Sequence, residues 1–497
     1  MLSLFSLALV AVLAGVGAGW AMRKLPRRLR HARPDDGDGP FIFPAGFLWG
    51  AATADQQIEH QQSSDWTAFE QWARDQARDG SSPGHIHGVT DVSAEVLAKK
   101  SDFDRLYAED MQRAGQMGHN AHRLSLSWAR LFPREDMLEP DPAALAFYSR
   151  VLDELERNGL VPFVTLFHFA SPAWLWREDG GVRGLERADA VDHFERYVVA
   201  VVRAFGHRVR YWCTLNEPMV YVYLGYLEGR FPPLERRAGS AEVFPVVRAL
   251  LRMHAAAYRA IHQESKDAAV GIAQHVRSFM PWRSASLLDR ITASMIDRAF
   301  VLDFLDAMHT GVLRMAQTNL VEEIAGLKGT ADYVGVNHYG RTYVKTSLTS
   351  PSRFQLVPHD PTEPGEEWSD LGWAADEAAL THALVRFHER YKKPLFVLEN
   401  GLADRDDDDR RRQRFLVRHA QATWRAVYQH GADVRGYFHW SLVDNFEWAE
   451  GFAPRFGLYA IDYDKDFARR PRGSVATFKQ IATGNAIPGA LWRKFRR

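Results

Sequence analysis

Short runs rich in β-branched and aromatic residues recur along the chain, each followed by polar residues and then by a stretch with helical spacing. The runs are FLWGAAT (47–53), AHRLSLSW (121–128), VPFVTLFHF (161–169), VRYWCTLNEP (209–218), AVGIAQHV (269–276), YVGVNHY (333–339), PLFVLENG (394–401) and VRGYFHWSL (434–442). The clearest helical stretch is Ala188 to Phe205, where Val191, Phe194, Val198, Val201, Val202 and Phe205 return at the interval of one helix face. Eight strands separated by helices predict an α/β fold, a single (β/α)8 TIM barrel over residues 41–497. A doubly wound open sheet is the alternative. The lack of a glycine-rich phosphate loop after the first strand weighs against it.

The N-terminus has a different pattern. Residues 1–22, MLSLFSLALVAVLAGVGAGWAM, contain no charged side chain. As a helix they would span about 33 Å, enough for a hydrocarbon core of about 30 Å. A signal peptide is the rival reading, but its basic residues usually precede a shorter apolar run. Here Arg23, Lys24, Arg27, Arg28 and Arg30 follow it. This order predicts a single-pass transmembrane anchor over 1–22, with the basic flank and all that follows in the cytoplasm. Residues 23–40, basic and then rich in Pro and Gly, read as a linker.

Composition narrows the picture further. Lys+Arg and Asp+Glu are both 62, so no net charge favours a nucleic-acid partner. The 15 tryptophans among 497 residues need no explanation beyond a large core. Cys213 is the only cysteine, which rules out an intrachain disulfide and fits a reducing compartment. With no HExxH motif and no cysteine cluster, no metal or other cofactor is implied. The acidic run Asp406 to Asp409 reads as a solvated loop before a helix, and His85 and His87 as surface-loop residues.

In a barrel of this kind chemistry sits at the C-terminal ends of the strands. Those ends carry Gln57 and Glu59 after the first, Arg123 and Trp128 on the second, His168 on the third, and Asn216 and Glu217 on the fourth. Asn337 and Tyr339 follow on the sixth, Glu399 on the seventh, and Trp440 on the eighth, with Asp444, Asn445, Glu447 and Trp448 after it. Any one of them could be structural; their convergence from several strands on one rim points to a site. Glu217 and Glu399 supply the two carboxylates that cleavage of a glycosidic bond requires, one to protonate the leaving oxygen and one to attack or to activate water.

With TLNEP and LENG read together, the chain resembles glycoside hydrolase family 1, the β-glucosidase family. FLWGAATADQQIE (47–59), HNAHRLSLSWARLFP (119–133), TLFHFASPAW (165–174), GVNHYGR (335–341) and GYFHWSLVDNFEWAEGFAPRFGL (436–458) match in order. The resemblance implies a retaining double displacement, with Glu217 as acid/base, starting protonated, and Glu399 as nucleophile, starting ionised. It implies that Arg123 and Tyr339 support the nucleophile. Asn216 resembles the residue that contacts the sugar 2-hydroxyl, Gln57, His168, Asn337, Trp440, Glu447 and Trp448 resemble sugar contacts, and Phe456 resembles a lining residue. Phe169, Ala170, His338 and Leu398 depart from the common pattern, which bears on sugar preference.

The apolar N-terminus, with HVRSFMP (275–281), FHERYKKPLFVLENG (387–401) and FGLYAIDYDKDFAR (456–469), is similar to the membrane-anchored "sensitive to freezing" branch, which transfers galactose between galactolipids. The resemblance therefore implies a β-glycoside or a glycolipid as substrate, resolved by water or by a lipid-borne hydroxyl. A non-catalytic glycan-binding module is the other class; it would be marked by loss of one carboxylate, and both are present.

Overall fold

The computed structural model describes residues 37–78, 89, 92–177, 181–315, 318–347, 349–350, 352–360, 362, 366–406 and 408–496. All eight expected strands form: β1 (Leu48–Ala52), β2 (Ala121–Ser125), β3 (Val161–Phe167), β4 (Tyr211–Asn216), β5 (Ala269–Pro281), β6 (Val334–Thr346), β7 (Leu395–Asn400) and β8 (Val434–Trp440). Each pairs in parallel with its neighbours, β8 pairs with β1, and β5 pairs with β6, so the sheet closes on itself. That closure excludes the open-sheet alternative. Within the barrel proper, strand residues are almost all buried, as expected where one face meets the barrel interior and the other meets helices.

The outer layer consists of α1 (Phe103–Gln116), α2 (Pro142–Arg157), α3 (Ala190–Phe205), α4 (Ser240–Glu264), α5 (Asp303–Thr310), α6 (Glu377–Tyr391), α7 (Arg410–Tyr428) and α8 (Gly473–Gly484). Local chemistry sets several of their starts. Asp141 accepts from the Ala144 amide with Pro142 in the first turn of α2, and Asp376 accepts from the Ala379 amide to open α6. The α3 stripe read from the sequence is the buried one, except that Val191 is only half-buried.

The barrel floor is a plug of Ala121, Phe163, Cys213, Ala273, Tyr333, Phe396, Leu398 and Phe438. Phe163 is its centre, stacked on Tyr211 at 5.1 Å and meeting Tyr333, Phe396 and Phe438 edge-on. This packing closes the lower end and leaves only the upper rim for a site.

Two elements depart from expectation. β5 and β6 run past the barrel rim, to Pro281 and Thr346, as a two-stranded ribbon that Phe354–Val357 extends antiparallel. Their outer halves mix polar and apolar residues, and most of these are only half-buried, so hydrophobic pattern alone ended the strands too early. Within the acidic run, Asp409 is fully buried rather than solvated. It pairs with Arg412 and accepts from the Ser474 amide, which ties α7 to α8.

Residues 1–22, the linker up to residue 36, and His85 and His87 lie outside the described residues. Among the described residues no helix is long and apolar enough to cross a membrane. Phe41–Ile42 pairs antiparallel with Ala486–Ile487 beside the C-terminal helix.

Candidate active site

Glu217 directly follows β4 in a left-handed conformation, φ 45° and ψ 56°, immediately before a short helix opened by Pro218. For a residue other than glycine this backbone costs about 1–3 kcal/mol, and such strain concentrates at functional sites. Glu399 is the penultimate residue of β7, two residues ahead of Gly401 and two after Val397. Position 401 admits only glycine, because a Cβ there would lie 2.0 Å from the Trp440 carbonyl oxygen. The Glu-Asn-Gly sequence thereby lets β7 press against β8 at the rim.

The carboxylates are held by a continuous hydrogen-bonded chain. Arg123 Nη1 donates to Glu399 Oε1 at 2.5 Å, and its Nη2 donates to Asn216 Oδ1 at 2.7 Å. Asn337 Nδ2 donates both to Asn216 Oδ1 at 3.0 Å and to Glu217 Oε1 at 2.8 Å. Tyr339 donates its hydroxyl to the other oxygen of Glu399 at 2.5 Å. Four strands therefore fix the pair: β2 through Arg123, β4 through Asn216 and Glu217, β6 through Asn337 and Tyr339, and β7 through Glu399.

The remaining predicted contacts gather around this chain. Asn216 Nδ2 donates to His168 Nε2 at 3.0 Å, and His168 lies nearly parallel to Trp440 (centroids 6.1 Å) and Trp448 (5.9 Å). Gln57 Nε2 donates to Asn445 Oδ1, the Phe446 carbonyl and Glu447 Oε2 at 3.1, 2.7 and 3.3 Å. Phe456, Trp440 and Tyr339 share one apolar cluster with Ala52, Ala54 and Ala403. Three buried polar atoms of this rim, Gln57 Oε1, His168 Nδ1 and Asn337 Oδ1, have no partner within the protein. They are aligned with hydrogen-bonding capacity that a polyhydroxyl ligand can use.

Electrostatics here are set by burial. Burial pushes the Glu399 carboxyl up to about 7; Arg123 and Tyr339 pull it down, and the Glu217 charge adds to the rise. Burial also pushes Glu217 up, but His275, Asn337 and Arg123 outweigh it and hold that carboxyl below its ordinary value. His275 acts on Glu217 at close range, its Nδ1 lying 2.9 Å from Glu217 Oε1. Burial and the charges of Glu399, Glu450 and Glu217 raise Glu447 to about 8. Burial and the Arg123 charge keep His168 neutral, well below the usual imidazole range.

Some strand-end residues do not join the site. Glu59 binds Arg130 (2.9 Å) and the Tyr148 hydroxyl (3.0 Å). Trp128 stacks on Tyr197 against the outer layer. Asp444 is bracketed by Arg472 at 2.9 and 2.8 Å and is structural. Sequence reasoning missed His275 and Arg277 as site residues. For His275 the signal was strand alternation: Ala273 faces the barrel interior, so 275 follows inward on β5. Arg277 sits at an irregularity of the β5–β6 ladder, which alternation does not mark. It also missed Trp373, which approaches Tyr339 from a loop with no periodicity to read. Glu135, Asp189 and His193 are grouped closely enough for a metal ion, but Arg187 donates to both carboxylates.

A family model described as "Glycosyl hydrolase family 1" matches residues 40–487. The chain is 32% identical to Beta-glucosidase A of Thermotoga maritima, over 85% of this chain and 93% of that protein. It is 30% identical to Beta-glucosidase 24 of Arabidopsis thaliana, over 92% and 93%. Among solved structures, a beta-glycosidase from Pyrococcus horikoshii superposes with a TM-score of 0.80 at 34% identity, covering 92% of this chain and 98% of that one. Thermotoga maritima beta-glucosidase in complex with glucoimidazole superposes with a TM-score of 0.77 at 29% identity, covering 90% and 99%.

Proposed function

The chain belongs to glycosyl hydrolase family 1 and is a glycoside hydrolase; from that premise we propose that it is a retaining β-glycosidase of β-glucosidase or β-galactosidase type. The observation that carries the reading is the buried Glu217–Asn337–Asn216–Arg123–Glu399 chain. It gives the two carboxylates different neighbours and hence different tasks. Glu399, gripped by Arg123 and Tyr339, attacks the anomeric carbon and forms a glycosyl-enzyme ester while the leaving oxygen takes a proton from Glu217. Glu217 then deprotonates the incoming water, whose oxygen displaces Glu399 and restores both groups. Asn216, between the two, contacts the sugar 2-hydroxyl. The His168, Trp440 and Trp448 rings and the Gln57–Glu447 pair form the sugar subsite, lined by Phe456.

The two carboxylates are a coupled pair. The productive arrangement puts the proton on Glu217 and the charge on Glu399. Arg123 and Tyr339 favour it by donating to ionised Glu399. Glu399→Gln is expected to abolish turnover of aryl β-glycosides while circular dichroism stays native; turnover within tenfold of the parent would remove Glu399 from its assigned role.

A second reading concerns the acceptor. The uncharged run of residues 1–22 with its basic flank supports a membrane anchor that leaves the barrel on the cytoplasmic side, and an enzyme held at a bilayer can pass the sugar to another glycolipid instead of water. Purified protein offered aryl β-glucoside, aryl β-galactoside and galactolipid in parallel separates the readings. Free sugar supports hydrolysis, and oligogalactolipid supports transfer. Protease added to sealed vesicles should cleave the barrel from the cytoplasmic face; protection there would reverse the orientation.

A further inference from the structure

Beyond His275, β5 places one more inward-facing side chain above Glu217. Arg277 occupies an irregularity in the β5–β6 ladder, between the pairs Val276↔His338 and Ser278↔Arg341. Such a bulge re-aims a side chain. Its guanidinium lies over the Trp373 ring, 4.6 Å from the centroid, and Nη1 donates to Thr342 Oγ1 at 3.2 Å. Its Nε is buried without a partner. The other arginines of the core are matched: Arg123 by Glu399, Arg412 by Asp409, Arg469 by Asp110 and Arg472 by Asp444. Among the described residues no carboxylate forms an ion pair with Arg277. The negative charge that acts on it is that of Glu217, and burial pulls its pKa down to about 10, which leaves it cationic at neutral pH.

Position gives this cation a meaning. Under the proposed function Glu217 delivers its proton to the leaving oxygen, so the wall beyond Glu217, away from the sugar subsite, faces the aglycone. That wall is built from Arg277, Trp373 and Phe300, with His275 between Phe300 and Tyr339. A flat aromatic face beside a half-buried guanidinium with donors to spare suits a ring that carries an oxyanion. We propose that Arg277 and Trp373 form an aglycone subsite for β-glycosides whose leaving group, or acceptor, is an aromatic or otherwise flat group bearing a carboxylate or sulfonate-type anion. The proposal rests on the glycosidase reading for the location of the aglycone.

The test uses 4-(carboxymethyl)phenyl, 4-(sulfomethyl)phenyl and 4-(carbamoylmethyl)phenyl β-glucosides. The methylene insulates the charge from the phenol oxygen, so leaving-group ability is matched. The readout is the ratio of kcat/KM for each anionic glycoside to that for the neutral amide, in the parent, Arg277→Met and Arg277→Lys. A charge-assisted contact predicts a parental ratio of about 10 or more for at least one anion. Arg277→Met should bring the ratio to about 1 or below, and Arg277→Lys should keep part of it, on the same grounds. The two anionic arms distinguish a planar carboxylate from a tetrahedral sulfonate. A parental ratio at or below 1 for both anions, or an equal ratio in Arg277→Met, overturns the subsite while cleavage of the amide leaves the glycosidase reading standing. If none of the three is cleaved, the glycosidase reading fails separately. Calorimetric affinities of the same glycosides for the Glu399→Gln variant then give the ratio without turnover, and again no preference for an anion overturns the subsite.

Discussion

Tyr339→Phe isolates one hydrogen bond at the reacting pair. The ring of Tyr339 lies parallel to His275 at 5.9 Å and edge-on to Trp373 and Phe456. Phenylalanine keeps those contacts and removes only the hydroxyl, which donates to Glu399 Oε2 at 2.5 Å. A hydrogen bond to a charged group contributes about 1.5–3 kcal/mol, equivalent to about 1–2 pKa units. The donor favours the ionised carboxylate, so its loss raises Glu399 further above about 7. The directions of the two shifts, Glu399 up and Glu217 down, predict that Glu399 governs the alkaline limb of the kcat/KM profile and Glu217 the acid limb. The variant should move the alkaline limb up by about 1–2 units and lower the maximum by about 10–100-fold, since the productive microstate becomes rarer by the same free energy. At pH above both limbs the two enzymes should converge, because only protonation of Glu217 is needed from the fully ionised pair. The assay is kcat/KM for an aryl β-glucoside from pH 4 to 10. An upward shift of the acid limb with an unchanged maximum would refute this ordering and return the proton to Glu217.

Three further perturbations probe the neighbours. His275→Ala removes the group that holds Glu217 low, so the acid limb should rise by about one unit, read from the same profile. Glu59 sits at about 8 in the fold against 4.5 in the open chain. The native state therefore holds a proton that the unfolded state has released between those values, and stability falls as pH rises through the window. Glu59→Gln should shrink the drop in melting temperature between pH 5 and 8.5 by roughly 2–4 °C, measured by scanning calorimetry; an unchanged difference would show that Glu59 ionises normally. Asp444→Asn leaves Arg472 as a buried cation without its counter-ion, and denaturant unfolding should report a loss of about 3–5 kcal/mol.

The strands were legible because a barrel strand is buried on both faces. Continuous apolar runs ending in polar residues marked all eight, and the α3 stripe was legible from its spacing. The rim residues were legible for a related reason: polar side chains at the ends of buried strands have few structural uses. Glu59, Asp444 and Asp409 show where that logic misleads. Each is a buried carboxylate near a strand or loop end, and each serves an arginine of the scaffold instead of the site. Sequence cannot separate the two uses, because the partner lies 71, 28 or 3 residues away with nothing in the pattern to mark it.

By itself, then, the order of residues determined the barrel, the identity of the two carboxylates and most of the rim, since these follow from burial, periodicity and motif. Tertiary structure alone decided which groups act on each carboxylate. His275 reaches Glu217 across 58 positions and Tyr339 reaches Glu399 across 60. It also decided that Arg277 is a half-buried cation over Trp373, a pairing made by two segments that only the closed barrel brings together. Proton affinity and charge pairing are properties of distance and desolvation, and neither exists until the chain has folded.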